Sequence, residues 1–386
     1  MAELSLSAAE RRRSLIAVIT CMTLVGITIG LTFPLLSLIL EGRGYSRTMI
    51  GFNAAMPAIA MLVLSPVLPR VIGKIGLKPF LIGCAVTEGA LILGLKAFDN
   101  LPAWFALRFF MGATTGGLFI AGETWINQIA DDRSRGRLMA LYSIALGAGL
   151  ALGPVILAVT GTGGWAPFIA GAVCNLAGVV PLMLIGNLAP RMDGVPSFGA
   201  WAFARVAPSL TMAVFAFAVL EVAVNALLPV YGVRTGYSEH QAALLLSAVL
   251  IGGVALQWPV GWLADRVDRY TLIGVLGGLS AIGAALLPFV IAVPMLLYGA
   301  LFIWGGVASG IYTVALVIQG ERFRGPDLVT ANAAFGIIWG VAVLIGPAAA
   351  GIAMDAWDPH GLPAMLTAVC ALFVVTVLVR RRSRPV

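Results

Sequence analysis

The sequence predicts an all-α membrane protein with 12 transmembrane helices in two pseudo-symmetric six-helix bundles. Three observations predict it. Hydrophobic residues make up 60% of the 386 and charged residues only 11%, more apolar surface than a water-soluble domain of this length hides. The apolar residues fall in twelve runs of roughly 20 residues or more, the length that crosses a bilayer as helix. The runs are continuously apolar rather than alternating, which favours helix over barrel where lipid offers the backbone no partner.

The first run, 14–40, follows Arg11, Arg12 and Arg13, which hold its cytoplasmic end. The second, 48–71, starts after Gly44-Tyr45-Ser46, and the third, 78–97, starts at Lys78. The fourth, 102–128, carries Arg108 and Glu123, and the fifth, 137–160, carries Gly153-Pro154. The sixth is 165–188, so residues 1–188 form the N-terminal bundle. Pro190, Gly194 and Pro196 mark 189–203 as a cytoplasmic linker, and 204–386 form the C-terminal bundle. There the seventh run, 204–231, carries Glu221 and Asn225, and the eighth, 239–263, follows Gly236-Tyr237-Ser238. The ninth is 271–291. The tenth, 295–319, carries Trp304 and Tyr312, the eleventh, 328–353, carries Gly346-Pro347, and the twelfth is 361–380.

Charge follows the membrane. With the N-terminus in the cytoplasm, nineteen of the 24 lysines and arginines lie in inner segments. Only Arg43, Arg47, Lys96 and Arg234 lie outside, and Arg108 lies within a span. This positive-inside bias places both termini in the cytoplasm, and it makes the net charge of +7 a membrane signature rather than a nucleic-acid one. The excess of arginine over lysine suggests a GC-rich bacterial genome, hence a bacterial cytoplasmic membrane. Arg12-Arg13-Ser14-Leu15 is like a twin-arginine export signal, but the apolar run behind it is too long and lacks a small-residue cleavage site.

Several function classes are excluded. The four cysteines lie singly in different runs, without metal or disulfide spacing. His240 and His360 fall in loops, against a histidine proton relay. There is no Gly-x4-Gly-Lys-Ser/Thr loop for ATP and no Gly-x-Ser-x-Gly nucleophile elbow. A membrane enzyme is therefore disfavoured, and no cofactor or metal is expected.

The halves repeat. Gly44-Tyr45-Ser46 and Gly236-Tyr237-Ser238 are 192 apart; Gly153-Pro154 and Gly346-Pro347, and Ser65-Pro66-Val67 and Trp258-Pro259-Val260, are 193 apart. Three matches whose offsets agree to within one residue argue for duplication of a six-span unit, the plan of many secondary transporters.

Gly261-Trp262-Leu263-Ala264-Asp265-Arg266-Val267-Asp268-Arg269 resembles the loop signature of the major facilitator superfamily. Its first-half counterpart keeps Lys74, Gly76 and Lys78 but has Gly73 in place of the acid. Arg108-x-x-x-Gly112, the partial antiporter motif Gly149-Leu-Ala-Leu-Gly153-Pro154 and Arg135-Gly136-Arg137 fit the same family. Gly122-Glu123-Thr124-Trp125, Arg135-Gly136-Arg137-Leu138 and Gln257-Trp258-Pro259-Val260-Gly261 look most like its YcaD-like subgroup. The resemblance implies the major facilitator fold, a cavity among spans one, four, seven and ten, and a cytoplasmic gate latched by Asp265, Arg266, Arg269 and Lys74. Asp265 is expected against a neighbouring helix N-terminus.

The candidate substrate and proton-coupling residues are Arg108, Glu123, Glu221, Asn225 and Tyr312. An arginine at mid-helix costs roughly 2.5–3.5 kcal/mol on insertion. Arg108 therefore binds an anionic group, pairs with an acid on another helix, or snorkels. Glu123 lies about 22 Å along the helix from it, too far to pair. A carboxyl group in low dielectric can hold and release a proton near neutral pH, so Glu221 and Glu123 are coupling candidates, with helix packing as the alternative. Glu88, in a span the resemblance places at the periphery, reads as packing. Thr28, Thr32, Trp304 and Tyr312 are further candidates for the cavity.

The expected activity is secondary active transport of a small organic molecule by alternating access, using protons. Export by antiport is preferred, with symport uptake, or a non-transporting scaffold or sensor, as alternatives. Arg108 favours an anionic cargo and the two glutamates a cationic one, so the cargo stays open. The partners are that small molecule, protons and the lipid bilayer, and the chain is expected to be a monomer.

Overall fold

The computed structural model describes residues 8–64, 67–129, 135–185, 207–323 and 326–382, and every regular element among them is helical. Among these residues twelve helical stretches are long and apolar enough to cross a membrane, as the sequence predicts. The first half contains α1 (Ala8–Gly42), α2 (Arg47–Leu64), α3 (Leu68–Ile75), α4 (Leu77–Ala97), α5 (Leu101–Ile129), α6 (Arg135–Thr160), α7 (Ala166–Ala177) and α8 (Val179–Leu184). The second contains α9 (Pro208–Arg234), α10 (Glu239–Ala255), α11 (Gln257–Ala264), α12 (Arg269–Val290), α13 (Pro294–Arg322), α14 (Pro326–Ala356) and α15 (Gly361–Arg382). The expected linker 189–203 lies outside the described residues, as do Arg133, Arg191, Arg205 and Arg324.

Three spans are not single helices. In the second, α2 is described to Leu64, and the short α3 carries the span's expected end. The sixth is divided at Gly178 into α7 and α8. The eighth is divided at Leu256 (φ −90°, ψ 0°). Pro259 explains this last break: it has no N–H to donate, and its ring would press on the Ala255 carbonyl of a continuous helix. Trp258-Pro259-Val260 lies just after this break, inside α11; Ser65 and Pro66 of the matching tripeptide lie outside the described residues.

The other repeats also have local causes. Gly44 and Gly236 both adopt left-handed backbone (φ 77° and 99°), which glycine takes without a Cβ clash. The serine two residues on then accepts a backbone N–H of the next helix: Met49 N–H to Ser46 Oγ (3.2 Å) and Gln241 N–H to Ser238 Oγ (3.2 Å). Gln241 completes a capping box by accepting the Ser238 N–H. The Gly-Pro pairs serve close approach. A Cβ on Gly153 would collide with the backbone of Gly30 and Leu31 in α1, and one on Gly346 would stand 3.2 Å from the Val219 backbone in α9. Lipid tails are as apolar as leucine, so such backbone contact does much of the holding between helices.

The chain divides into two compact units, Met1–Leu35 with Met56–Gly194 and Leu36–Ala55 with Val195–Val386. The end of α1 and the start of α2 therefore cluster with the second half of the sequence. In the first unit Met22, Leu81, Trp125 and Leu182 are core residues, and the Trp125 indole donates to Ser14 Oγ (2.8 Å). In the second, Leu210, Ile273, Ile311 and Phe373 form the core. There α9 packs on α10, α13, α14 and α15.

Candidate substrate and coupling site

Helix α9 is the most enclosed spanning helix, and Glu221 is its central residue. From Ala216 to Gly232 every residue is buried except Phe217, Glu221 and Asn225, which are half-buried. The spacing i, i+4, i+8 places the three on one face, with about 6 Å of rise between neighbours. One stripe of an otherwise covered helix is thus left partly open, and it carries an aromatic ring, a carboxyl group and an amide. Glu221 Oε2 is buried and has no hydrogen-bond partner among the described residues. A carboxylate oxygen without a partner in low dielectric is costly.

Phe217 opens onto an aromatic cluster drawn from two more helices. Its ring stacks on Tyr312 of α13 at 5.4 Å with 19° between planes. Trp339 of α14 meets Phe217 edge-on at 5.6 Å and Tyr312 at 5.3 Å. Phe335, buried, backs Tyr312 at 6.5 Å. Tyr312 is a residue the sequence singles out. Phe217, Phe335 and Trp339 are not, because aromatic residues in spans are common and only tertiary packing joins these three to Tyr312.

The remaining intramembrane candidates are answered by the chain itself. Arg108 and Glu88 are each only 2% exposed. The Arg108 guanidinium lies 4.3 Å from the centroid of the Phe33 ring and interacts electrostatically with Glu88. Thr114 and Thr115, on α5, donate their hydroxyls to the Glu88 carboxylate. The charge of Arg108 thus acts on an acid of the neighbouring helix α4. Glu123 is exposed and accepts from the buried Tyr142 hydroxyl at 3.3 Å. The Thr28 and Thr32 hydroxyls donate to the backbone carbonyls of Leu24 (3.0 Å) and Thr28 (2.8 Å). The Trp304 indole donates to the Ser280 carbonyl (2.9 Å). These three side chains spend their donors on helix backbone.

The expected gate residues sit at helix ends. Asp265 is exposed at the C-terminal cap of α11. The residue that caps α12 is Asp268, which accepts the Thr271 N–H at 2.8 Å. Because α12 starts at Arg269, Asp268 is the residue in capping position. Arg269 pairs with Glu321 of α13 at 2.6 Å. Arg266 lies over the Trp262 ring at 3.8 Å and donates to the Trp262 carbonyl. Lys74 is exposed near the end of α3.

A charged cluster that sequence reasoning missed lies at the far end of α9. Arg47, at the start of α2, reaches Glu41 (3.7 Å), Asp355 (3.4 Å) and Asp358 (2.8 Å). Arg234, at the end of α9, pairs with Glu41 (3.6 Å) and with Asp358. Asp355 also accepts the Arg47 and Thr48 N–H groups (3.0 and 2.8 Å), capping α2. The hydrogen bond from Arg234, helped by the charge of Arg47 and opposed by partial burial, holds the Asp358 carboxyl below its ordinary value. No signal in the sequence joins residues 300 positions apart. Among the described residues no group of three or more His, Cys, Asp or Glu side chains is placed to hold a metal ion.

Residues 18–239 and 210–386 each match the family model described as Major Facilitator Superfamily. The uncharacterized MFS-type transporter YfkF of Bacillus subtilis (strain 168) is 26% identical over 375 residues, 94% of each chain. The uncharacterized MFS-type transporter YcaD of Escherichia coli O8 (strain IAI1) is 25% identical over 305 residues, 78% of this chain and 76% of that one. In fold, the chain is similar to a mutant of the nucleoside transporter NupG (TM-score 0.78, 13% identity, 96% of this chain and 99% of that one). It is also similar to a bacterial homolog of the human lysosomal transporter Spinster, inward-facing and occupied (TM-score 0.77, 14% identity, 98% of both chains).

Proposed function

The chain belongs to the Major Facilitator Superfamily and is a multi-pass membrane transport protein; on that premise we propose that it is a proton-coupled secondary transporter of a small organic molecule, with Glu221 as the coupling group. One observation carries this reading. The middle of the most enclosed helix keeps a partly open stripe, and the carboxyl group at its centre has an oxygen that nothing in the described chain answers. A packing carboxylate would look like Glu88, with hydroxyl donors and an arginine around it. A group that takes up a proton on one side and gives it up on the other must instead be left unclaimed.

Alternating access supplies the motion, with the halves 1–188 and 204–386 as the two rocking bodies. By charge asymmetry the termini are cytoplasmic and the Glu41–Arg47–Arg234–Asp355–Asp358 cluster lies at the outer face, where it serves as a latch that parts when that side opens. Export by antiport is the preferred mode, because one carboxyl group that can hold a proton or a cargo, but not both, exchanges them. The membrane is the bacterial cytoplasmic membrane, and one chain suffices as the working unit.

The test is flux into reconstituted vesicles under an imposed pH gradient, with a cargo found by thermal-shift screening of the purified protein. Glu221→Gln is expected to lower pH-driven flux about tenfold or more, the equivalent of roughly 1.4 kcal/mol, while the protein still inserts and folds. Equal pH-driven flux by variant and parent would remove Glu221 from the coupling role.

A further inference from the structure

The geometry points to an organic cation as the ligand of the α9 stripe: Glu221 and the rings of Phe217, Tyr312 and Trp339 form a binding site for a monocation that carries apolar or aromatic surface. As the cargo site of the transporter proposed above, it rests on that reading; as a binding site it stands on its own observations.

Two independent features select positive charge. The faces of aromatic rings are electronegative, and a cation held against them gains about 2 kcal/mol or more when desolvated. Three half-buried rings from three helices meet here within 5.3–5.6 Å of one another. One helical turn from Phe217 stands the Glu221 carboxyl group, with its unanswered oxygen. Rings and carboxylate both repel an anion. An uncharged apolar guest would satisfy the rings and leave the oxygen bare.

The charge inventory of the same unit agrees. Its arginines with described partners lie at helix ends and are engaged there: Arg47 and Arg234 with the acids of the charged cluster, Arg269 with Glu321, Arg266 over Trp262 and Arg322 near the Phe323 ring. None of them stands at the middle of a spanning helix, where Glu221 does. The conflict left open by the sequence also resolves. Arg108, the one residue that argued for an anionic cargo, is 2% exposed and held by Phe33 and Glu88. Glu221 is the mid-span charge still open to a partner. The rings add shape: a bare ammonium or metal ion has no apolar surface to lay on them, whereas a quaternary or arylated cation does.

The experiment is equilibrium dialysis of radiolabelled tetraphenylphosphonium against the detergent-purified full chain, with isosteric tetraphenylborate as the anion of the same shape and protein-free micelles as the partition control. Saturable binding of the phosphonium is expected, with the borate bound about a hundredfold more weakly. Glu221→Gln and Trp339→Leu are each expected to weaken phosphonium binding about tenfold or more, and Glu221→Asp to restore part of what Glu221→Gln loses. Comparable binding of both ions by the parent overturns the proposal whatever the variants do, as does absence of saturable phosphonium binding or unchanged affinity in Glu221→Gln. Binding as expected without pH-driven flux in vesicles would keep the site and remove the transport reading. Glu221-dependent flux of another solute without phosphonium binding would do the reverse.

Discussion

Glu88 and Glu221 carry the same side chain near the middle of a spanning helix, Glu88 fully buried and Glu221 half-buried. Around Glu88 the chain supplies two threonine hydroxyls and the charge of Arg108. Glu221 has Phe217, one member of a three-ring cluster, one turn away on the same face, and its Oε2 has no partner among the described residues. The first arrangement uses its charge to join α4 to α5. The second keeps its charge available. On the proposed reading, partners and exposure, not residue type, separate the structural carboxylate from the coupling one.

Making one substitution at both sites tests that distinction. Glu88→Gln removes the carboxylate charge that acts on the buried Arg108, and removing one of two interacting buried charges costs up to about 3–5 kcal/mol. The expected result is a large fall in unfolding free energy in detergent or bicelles. The double variant Glu88→Gln with Arg108→Gln should recover part of it, because the pair is coupled. A single Glu88→Gln variant within about 0.5 kcal/mol of the parent would mean that Arg108 does not depend on Glu88.

Glu221→Gln should behave in the opposite way. No hydrogen bond to Oε2 is lost, and an amide is cheaper to bury than a carboxylate. Its unfolding free energy is expected to match or exceed the parent's, within about 1 kcal/mol, even as pH-driven flux falls. A loss as large as that at Glu88 would show a partner for Glu221 and would put it in the structural class.

The sequence carries the fold far and the site only part of the way. Spans are legible because lipid imposes length and apolarity on each helix separately. The breaks at Leu256 and Gly178 are not, because a hydropathy window does not register where a proline removes a donor or where a helix turns at a glycine. Glu221 stands out as a charge in an apolar run, and Phe217, Glu221 and Asn225 share a visible helical spacing. The ring cluster needs α9, α13 and α14 side by side, and no local pattern encodes that. Glu88 reads from its span as packing, but its link to Arg108 joins two helices across a turn. Asp268 caps α12 because that helix starts at Arg269, a boundary that the hydropathy runs do not fix.

Asp358 offers the smallest effect and the sharpest contrast with Glu88. It too is answered, by Arg234 and Arg47, but its side chain is 34% exposed, where water and salt screen the attraction. Exposed pairs contribute about 0.2–1 kcal/mol, so Asp358→Asn should lower stability by no more than that, and less in high salt. The direction with pH follows from its depressed folded value. A carboxyl group held below its unfolded value, about 3.9 for aspartate, stabilises the fold above that pH, and the contribution is lost as pH falls through the folded value. Between neutral pH and about pH 3 the parent should therefore lose slightly more stability than Asp358→Asn, which has no such contribution left to lose. Parallel melting curves across that range would show that the two arginines hold Asp358 no more firmly than solvent does.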